Sequence, residues 1–344
     1  RYIEQPFRDW QRLKEKSVRA LQAGGNLMVA TAACGLILLF SSQVLDQQNS
    51  STTAEGGPQG AEVVEEEPGA VEPVKEAESI NPDVTEAQED LAVAYEDGCH
   101  GDQVASTVKS CVYGNADSDY VVAVVGDSHA THWVPALEKI AEENDWRLET
   151  YTKSACALNS VAVDYQGSFY DSCYDWNQKV MDELTGSDGP DHVIVSAASY
   201  PAAESSDVPE GVNTGGIAEG LGDAWTQLHD AGVGVTAILD TPRLDLDVPE
   251  CVAEHPDDLT ECSEKRTDAI EASAYKDMQQ AAEDTETEAV DLTDMFCSAE
   301  SCSAVIGDVL VWRDQHHMTA TYAESLTSSL QRELREESSL EFSE

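Results

Sequence analysis

Long polar stretches alternate with short apolar runs along the chain, and the sharpest run is residues 120–132, reading Tyr120-Val121-Val122-Ala123-Val124-Val125-Gly126-Asp127-Ser128-His129-Ala130-Thr131-His132. A continuous valine-rich segment closed by Gly-Asp predicts a strand buried on both faces of a parallel sheet. Ser128 then sits at the strand's carboxyl end, where ligands bind in open α/β sheets. A helix beginning just beyond it points free backbone N–H groups toward Ser128. Downstream, the pattern predicts a helix at 133–143, a strand at 148–152, a helix at 176–184 and a strand at 192–198. A helix at 217–230, a strand at 233–239, a helix at 264–282, a short strand at 289–292 and a helix at 319–334 follow. Repeated strand–helix units imply an α/β fold in three layers, a parallel sheet between helices.

Upstream of residue 98 the pattern changes character. Residues 1–23 hold Arg1, Arg8, Arg12, Lys14, Lys16 and Arg19, and residues 24–45 are apolar over the length of about 20 residues that spans a bilayer. Basic residues before this run and acidic residues after it predict a single-pass membrane anchor with a cytoplasmic N-terminus and an extracytoplasmic remainder. The rival, a cleaved signal peptide, is disfavoured by the long basic segment and the lack of an Ala-x-Ala site. Residues 46–97, rich in Glu, Gly, Pro and Ala, predict a disordered acidic linker, with a short helix near 84–94. The folded domain is expected over 98–338 and a tail over 339–344.

The chain of 344 residues carries 19 Lys plus Arg against 67 Asp plus Glu, a formal net charge of -48. That balance excludes a general nucleic-acid-binding surface. Eight of the nine cysteines fall as near neighbours in sequence: Cys99 with Cys111, Cys156 with Cys173, Cys251 with Cys262, and Cys297 with Cys302. Sequential pairing gives four short loops, one choice among about 105 connectivities. No Cys-x-x-Cys spacing appears, so disulfides in an oxidising compartment are expected rather than a metal site.

Ser128 needs a base, because a serine hydroxyl attacks only when an imidazole takes its proton and a carboxylate fixes that imidazole's tautomer. Trp312-Arg313-Asp314-Gln315-His316-His317-Met318-Thr319 supplies Asp314 and His317 three residues apart, with His316 a second choice of base. Standing alone, this pair would cap a helix start. Asp127 is expected to fix the turn rather than to serve as the triad acid. His129 and His132 are substrate-proximal candidates, or else pack the first helix. Trp312 and Tyr200 are candidates for stacking on sugar rings, or else core.

Gly126-Asp127-Ser128 with Asp314-Gln315-His316-His317 resembles the first and last signature blocks of SGNH (GDSL-like) hydrolases and acyltransferases. The longer run through Trp133, Pro135 and Leu137 is similar to the SGNH domain fused to the acyltransferase-3 family. So are Ser154-Ala155-Cys156, Asp240-Thr241-Pro242-Arg243 and Val248-Pro249-Glu250-Cys251. Arg1-Tyr2-Ile3-Glu4-Gln5-Pro6-Phe7-Arg8 resembles the cytoplasmic end of that family's membrane domain, as in a piece of a longer protein. The resemblance implies a Ser128, His317, Asp314 triad and O-acyl, usually O-acetyl, transfer to a cell-surface glycan or glycolipid. It also implies an acyltransferase-3 membrane partner that supplies the acyl group, ultimately from acyl-CoA, with no cofactor bound by this chain. A carbohydrate esterase with the same triad and a non-catalytic tethered glycan-binding domain are the alternatives. The family's Gly-x-Asn block is missing after the 192–198 strand. Oxyanion donors are therefore sought among Ser128, Ser154, Ala155, Ser196 and Ser199, since the hole requires only aimed donors.

Overall fold

The computed structural model describes residues 59–343 apart from residue 71. The expected basic segment and membrane anchor lie outside the described residues. Among the described residues, no helix is long and apolar enough to cross a membrane.

Seven strands form one sheet: β1 (His100–Gly101), β2 (Val112–Gly114), β3 (Val121–Gly126), β4 (Arg147–Lys153), β5 (His192–Ser196), β6 (Gly234–Ile238) and β7 (Glu288–Val290). Their order is β1-β4-β3-β5-β6-β7, all parallel. β2 pairs antiparallel with the first half of β4, on the edge whose other end carries β1. The two-residue period of the strand decides the layers. Val122 and Val124 face one core, while Ala123 and Val125 face the other.

The first core is covered by α2 (Val134–Asn144), α6 (Ala320–Ser325) and α7 (Thr327–Glu337), through Leu137, Ile140, Tyr322, Leu330 and Leu334. The second is covered by α3 (Asp171–Leu184), α4 (Ile217–Asp230) and α5 (Tyr275–Thr285), through Trp176, Val180, Trp225, Leu228 and Met278. The chain leaves β3 for β4 on one side and returns to β5 on the other. Such a reversal opens a crevice above the strands' carboxyl ends. The short helix α1 (Ser128–Thr131) starts at this crevice.

Several elements differ from their expected form. Residues 46–97 read as a free tether, yet residues 59–97 lie against the domain. Ala61, Val64, Ala87 and Ala94 are buried in the first core. The Gly60 N–H donates to the Gly307 carbonyl at 3.0 Å and the Asn81 N–H to that of Asp308 at 2.9 Å. Small apolar residues without periodicity suffice here because loops of the domain satisfy the segment's backbone groups. The single helix expected at 264–282 is two, Arg266–Glu271 and α5. At the break, the Ala274 N–H donates to Asp240 Oδ2 at 2.7 Å.

The four disulfides join the cysteines in sequence order, with Cα–Cα separations of 5.7, 5.5, 5.7 and 3.9 Å. The Cys156–Cys173 bond pins the loop after β4 to the first turn of α3.

Candidate active site

Ser128 is the first residue of α1, capped by Asp127, whose Oδ1 accepts the His129 N–H at 2.7 Å. Gly126 makes the preceding turn at φ +150, and a Cβ there would stand 2.2 Å from the Ser196 carbonyl. Only glycine lets β3 end this close to β5. The other Asp127 oxygen accepts the Ala198 N–H at 2.8 Å, joining the serine's turn to the loop after β5. Burial pushes the fully enclosed Asp127 carboxyl up to about 6. It fixes the turn and does not reach an imidazole.

Asp314 and His317 arrive on a hairpin tip. Trp312 and Met318 pair across its base, the Arg313 N–H donates to the His317 carbonyl at 2.9 Å, and Thr319 caps α6. His317 Nε2 lies 2.8 Å from Ser128 Oγ, and Nδ1 lies 2.6 Å from Asp314 Oδ2. Asp314 Oδ1 accepts the backbone N–H of His316 at 2.9 Å and of His317 at 2.8 Å. Burial opposes the Asp314 charge, but the His317 bond and the two backbone donors outweigh it and hold the carboxyl below its usual range. Burial lowers the His317 pKa, partly offset by the Asp314 hydrogen bond. The imidazole is thus neutral near pH 7, the form able to take a proton.

A cleft of about 400 Å³ opens in front of Ser128 and His317. Ser154, Ala155, Ser199 and Tyr200 line it, whereas Ser196 is absent from its lining. The Ser196 hydroxyl is buried without a partner behind the turn. The Ser154 N–H donates to the Gly101 carbonyl at 2.8 Å and the Ala198 N–H to Asp127, so neither is available to an oxyanion. Three amides remain. The Ser128 N–H has no intrahelical acceptor because it begins α1, and the N–H groups of Ala155, at φ +56, and of Ser199, both on the cleft wall, have no protein acceptor among the described residues. These are the amides free to serve as oxyanion donors.

The histidines are arranged differently from expectation. His129 and His132 are 2% and 4% exposed and do not line the cleft, so neither is substrate-proximal. His132 packs 4.9 Å from the His129 ring with neither nitrogen bonded. His129 instead bridges two groups far apart in sequence, with Nδ1 at 2.5 Å from Asp240 Oδ1 and Nε2 at 2.7 Å from His316 Nδ1. Burial works against a charge on His129, yet Asp240 prevails and its pKa is raised. Burial and the His129 charge push His316 down to about 2. His316 lines the cleft and keeps Nε2 free of protein partners among the described residues. Asp240 follows β6, and its strand-end position above the sheet was the available signal for this role.

His100 was not singled out by sequence. Its Nε2 meets Ser154 Oγ at 2.8 Å and its Nδ1 meets Thr131 and Thr152 hydroxyls at 3.0 Å, tying β1 to the cleft wall. Trp312 is buried against Phe296, with its indole N–H on the Ser303 carbonyl, so it is core and not a sugar platform. Among the described residues, the nitrogens of His129, His316 and His317 lie within 4.8 Å of one another, but the short His129–His316 hydrogen bond already occupies two of them.

A sheet of this order, with a serine after its central strand and an Asp–His pair on its last loop, defines a serine-hydrolase-like α/β domain. The chain belongs to the family of SGNH domains fused to AT3 domains, whose model matches residues 98–332. No curated protein matches it. Among solved structures it is similar in fold to the periplasmic domain of a lipopolysaccharide acetyltransferase from Salmonella ser. Paratyphi A. The TM-score is 0.51 at 12% identity, covering 74% of this chain and 98% of that one.

Proposed function

We propose that this domain is an extracytoplasmic O-acyltransferase, most simply an O-acetyltransferase, acting on a cell-surface glycan or glycolipid. The observation that carries the reading is the Ser128 Oγ to His317 Nε2 distance of 2.8 Å, continued to Asp314 at 2.6 Å, at the wall of an open cleft. His317 takes the Ser128 proton as Oγ bonds to the donor's carbonyl carbon, with the oxyanion received by the Ser128 N–H and by the free cleft-wall amides of Ala155 and Ser199. The bond to the leaving group breaks, and His317 returns its proton to that group, leaving acyl-Ser128. An acceptor hydroxyl then gives its proton to His317 as its oxygen attacks the ester, and Ser128 departs reprotonated. The family's fusion to AT3 domains supports an acyltransferase-3 membrane partner as the source of the acyl group, drawn ultimately from acyl-CoA. The acetyltransferase relationship of the structural neighbour supports transfer over simple hydrolysis.

The test is intact-protein mass spectrometry after exposure to p-nitrophenyl acetate. An acetyl adduct located on Ser128, lost when a glycan acceptor is added with matching gain of acetylated glycan, is expected. Loss of the adduct solely to water at saturating acceptor makes the domain an esterase. Absence of any adduct on Ser128 removes covalent catalysis and leaves a binding domain.

A further inference from the structure

The chain is strongly acidic, yet two guanidinium groups line the cleft that holds Ser128 and His317: those of Arg243 and Arg313. They come from separate segments, one following β6 and the other on the catalytic hairpin. The segments are held together where the Leu244 N–H donates to the Gln315 carbonyl at 2.9 Å. Arg243 is further fixed by its own N–H on the Ala269 carbonyl at 3.0 Å.

Neither guanidinium has a carboxylate partner among the described residues. The arginine and lysine ion pairs there are made by Lys139, Arg147, Arg266, Lys276 and Arg332. Arg313 lies 5.8 Å over the Tyr95 ring. The nearby Asp314 oxygens are already taken by His316 and His317. In a chain with 67 acidic side chains, both arginines stand half-buried at the cleft without one. Each presents up to five N–H donors in a planar fork that matches a carboxylate or phosphate. Their positive charge also weighs on the neighbouring imidazoles, Arg243 on His316 and Arg313 on His317, which places both within electrostatic reach of the reacting centre.

We infer that the cleft selects an acidic glycan, one whose sugar carries a carboxylate or a phosphate close to the hydroxyl that is acylated. This rests on the transferase reading and adds the chemical class of its acceptor. The acidic exterior repels anions at long range, so the preference is local and made by charge-assisted hydrogen bonds inside the cleft.

Binding is measured by calorimetry on the full chain carrying Ser128→Ala in detergent, so that no chemistry is needed. Three probes share one ring: methyl glucuronoside, its uncharged amide, and methyl glucoside 6-phosphate. The better of the two anions is expected to bind at least about tenfold more tightly than the amide, the scale of a hydrogen bond between charged groups. Whether carboxylate or phosphate binds better names the anion. Arg243→Gln and Arg313→Gln should each shrink the ratio, and together bring it to about one. Lysine replacements keep the charge without the fork and should leave an intermediate ratio, a check if the glutamine variants do not fold. Equal binding of anion and amide, no binding of any probe, or a ratio untouched by both glutamine variants overturns the inference. A missing acetyl adduct on the wild-type serine refutes the transferase reading while leaving this ratio measurable.

Discussion

Asp314→Asn tests the catalytic constellation with the smallest possible change. Asp314 Oδ1 accepts two backbone N–H groups, at 2.9 and 2.8 Å, so the asparagine carbonyl oxygen must occupy that position, and the new NH2 must face His317 Nδ1 where Oδ2 was. An NH2 cannot accept, so Nδ1 becomes the acceptor and the imidazole proton moves to Nε2. That nitrogen then points a proton at Ser128 Oγ across 2.8 Å and cannot take one. The wrong tautomer in a serine triad of this kind costs on the order of 10⁴ in turnover, or about 5.5 kcal/mol of transition-state stabilisation. The fold should hardly notice, because the two backbone hydrogen bonds that shape the hairpin tip persist. The assay is the rate of acetyl-Ser128 formation from p-nitrophenyl acetate, followed by quenched mass spectrometry, with thermal melting as a control. An Asp314→Asn variant folded like the wild type and acylating within tenfold of it would refute the tautomer argument and take Asp314 out of the mechanism.

Acylation should rise with pH through the pKa of His317, with a midpoint below the ordinary histidine value of about 6.5, because burial lowers that pKa and the neutral ring is the base. A midpoint above 7 in a pH–rate profile would contradict this. Gly126→Ala places a methyl group 2.2 Å from the Ser196 carbonyl at φ +150. It should cost roughly 1–3 kcal/mol, read as a lowered melting temperature, together with loss of acylation. Replacing both Cys156 and Cys173 with serine opens a loop of 17 residues and should cost about 3 kcal/mol, against about 2 kcal/mol for the five-residue Cys297–Cys302 loop. Denaturant midpoints for the two double variants should fall in that order.

The sheet was readable because its strands are buried on both faces, so Val121–Gly126, His192–Ser196 and Gly234–Ile238 stand out as mainly apolar, β-branched runs. Ser128, Asp314 and His317 were legible because each sits where a regular pattern stops. The histidine chain was not. His129 and Asp240 are 111 residues apart and meet by tertiary packing, and buried polar pairing leaves no periodicity to detect. The packed segment at 59–97 escaped for a related reason. Its anchors are isolated alanines and backbone hydrogen bonds, and a composition dominated by Glu, Gly and Pro hides both. The helix break at Ala274 was likewise invisible, since its cause is the Asp240 carboxylate on a different element.

The contact between His129 Nε2 and His316 Nδ1 holds a single proton in its 2.7 Å span. When His129 carries both of its protons, His316 accepts at Nδ1 and shows an N–H on its other nitrogen. When His129 loses one, its Nδ1–H still donates to Asp240, the shared proton belongs to His316, and the other His316 nitrogen becomes a lone pair. No heavy atom has to move. Whether this patch of the cleft gives or takes a hydrogen bond is therefore written by the ionisation of a ring that does not line it.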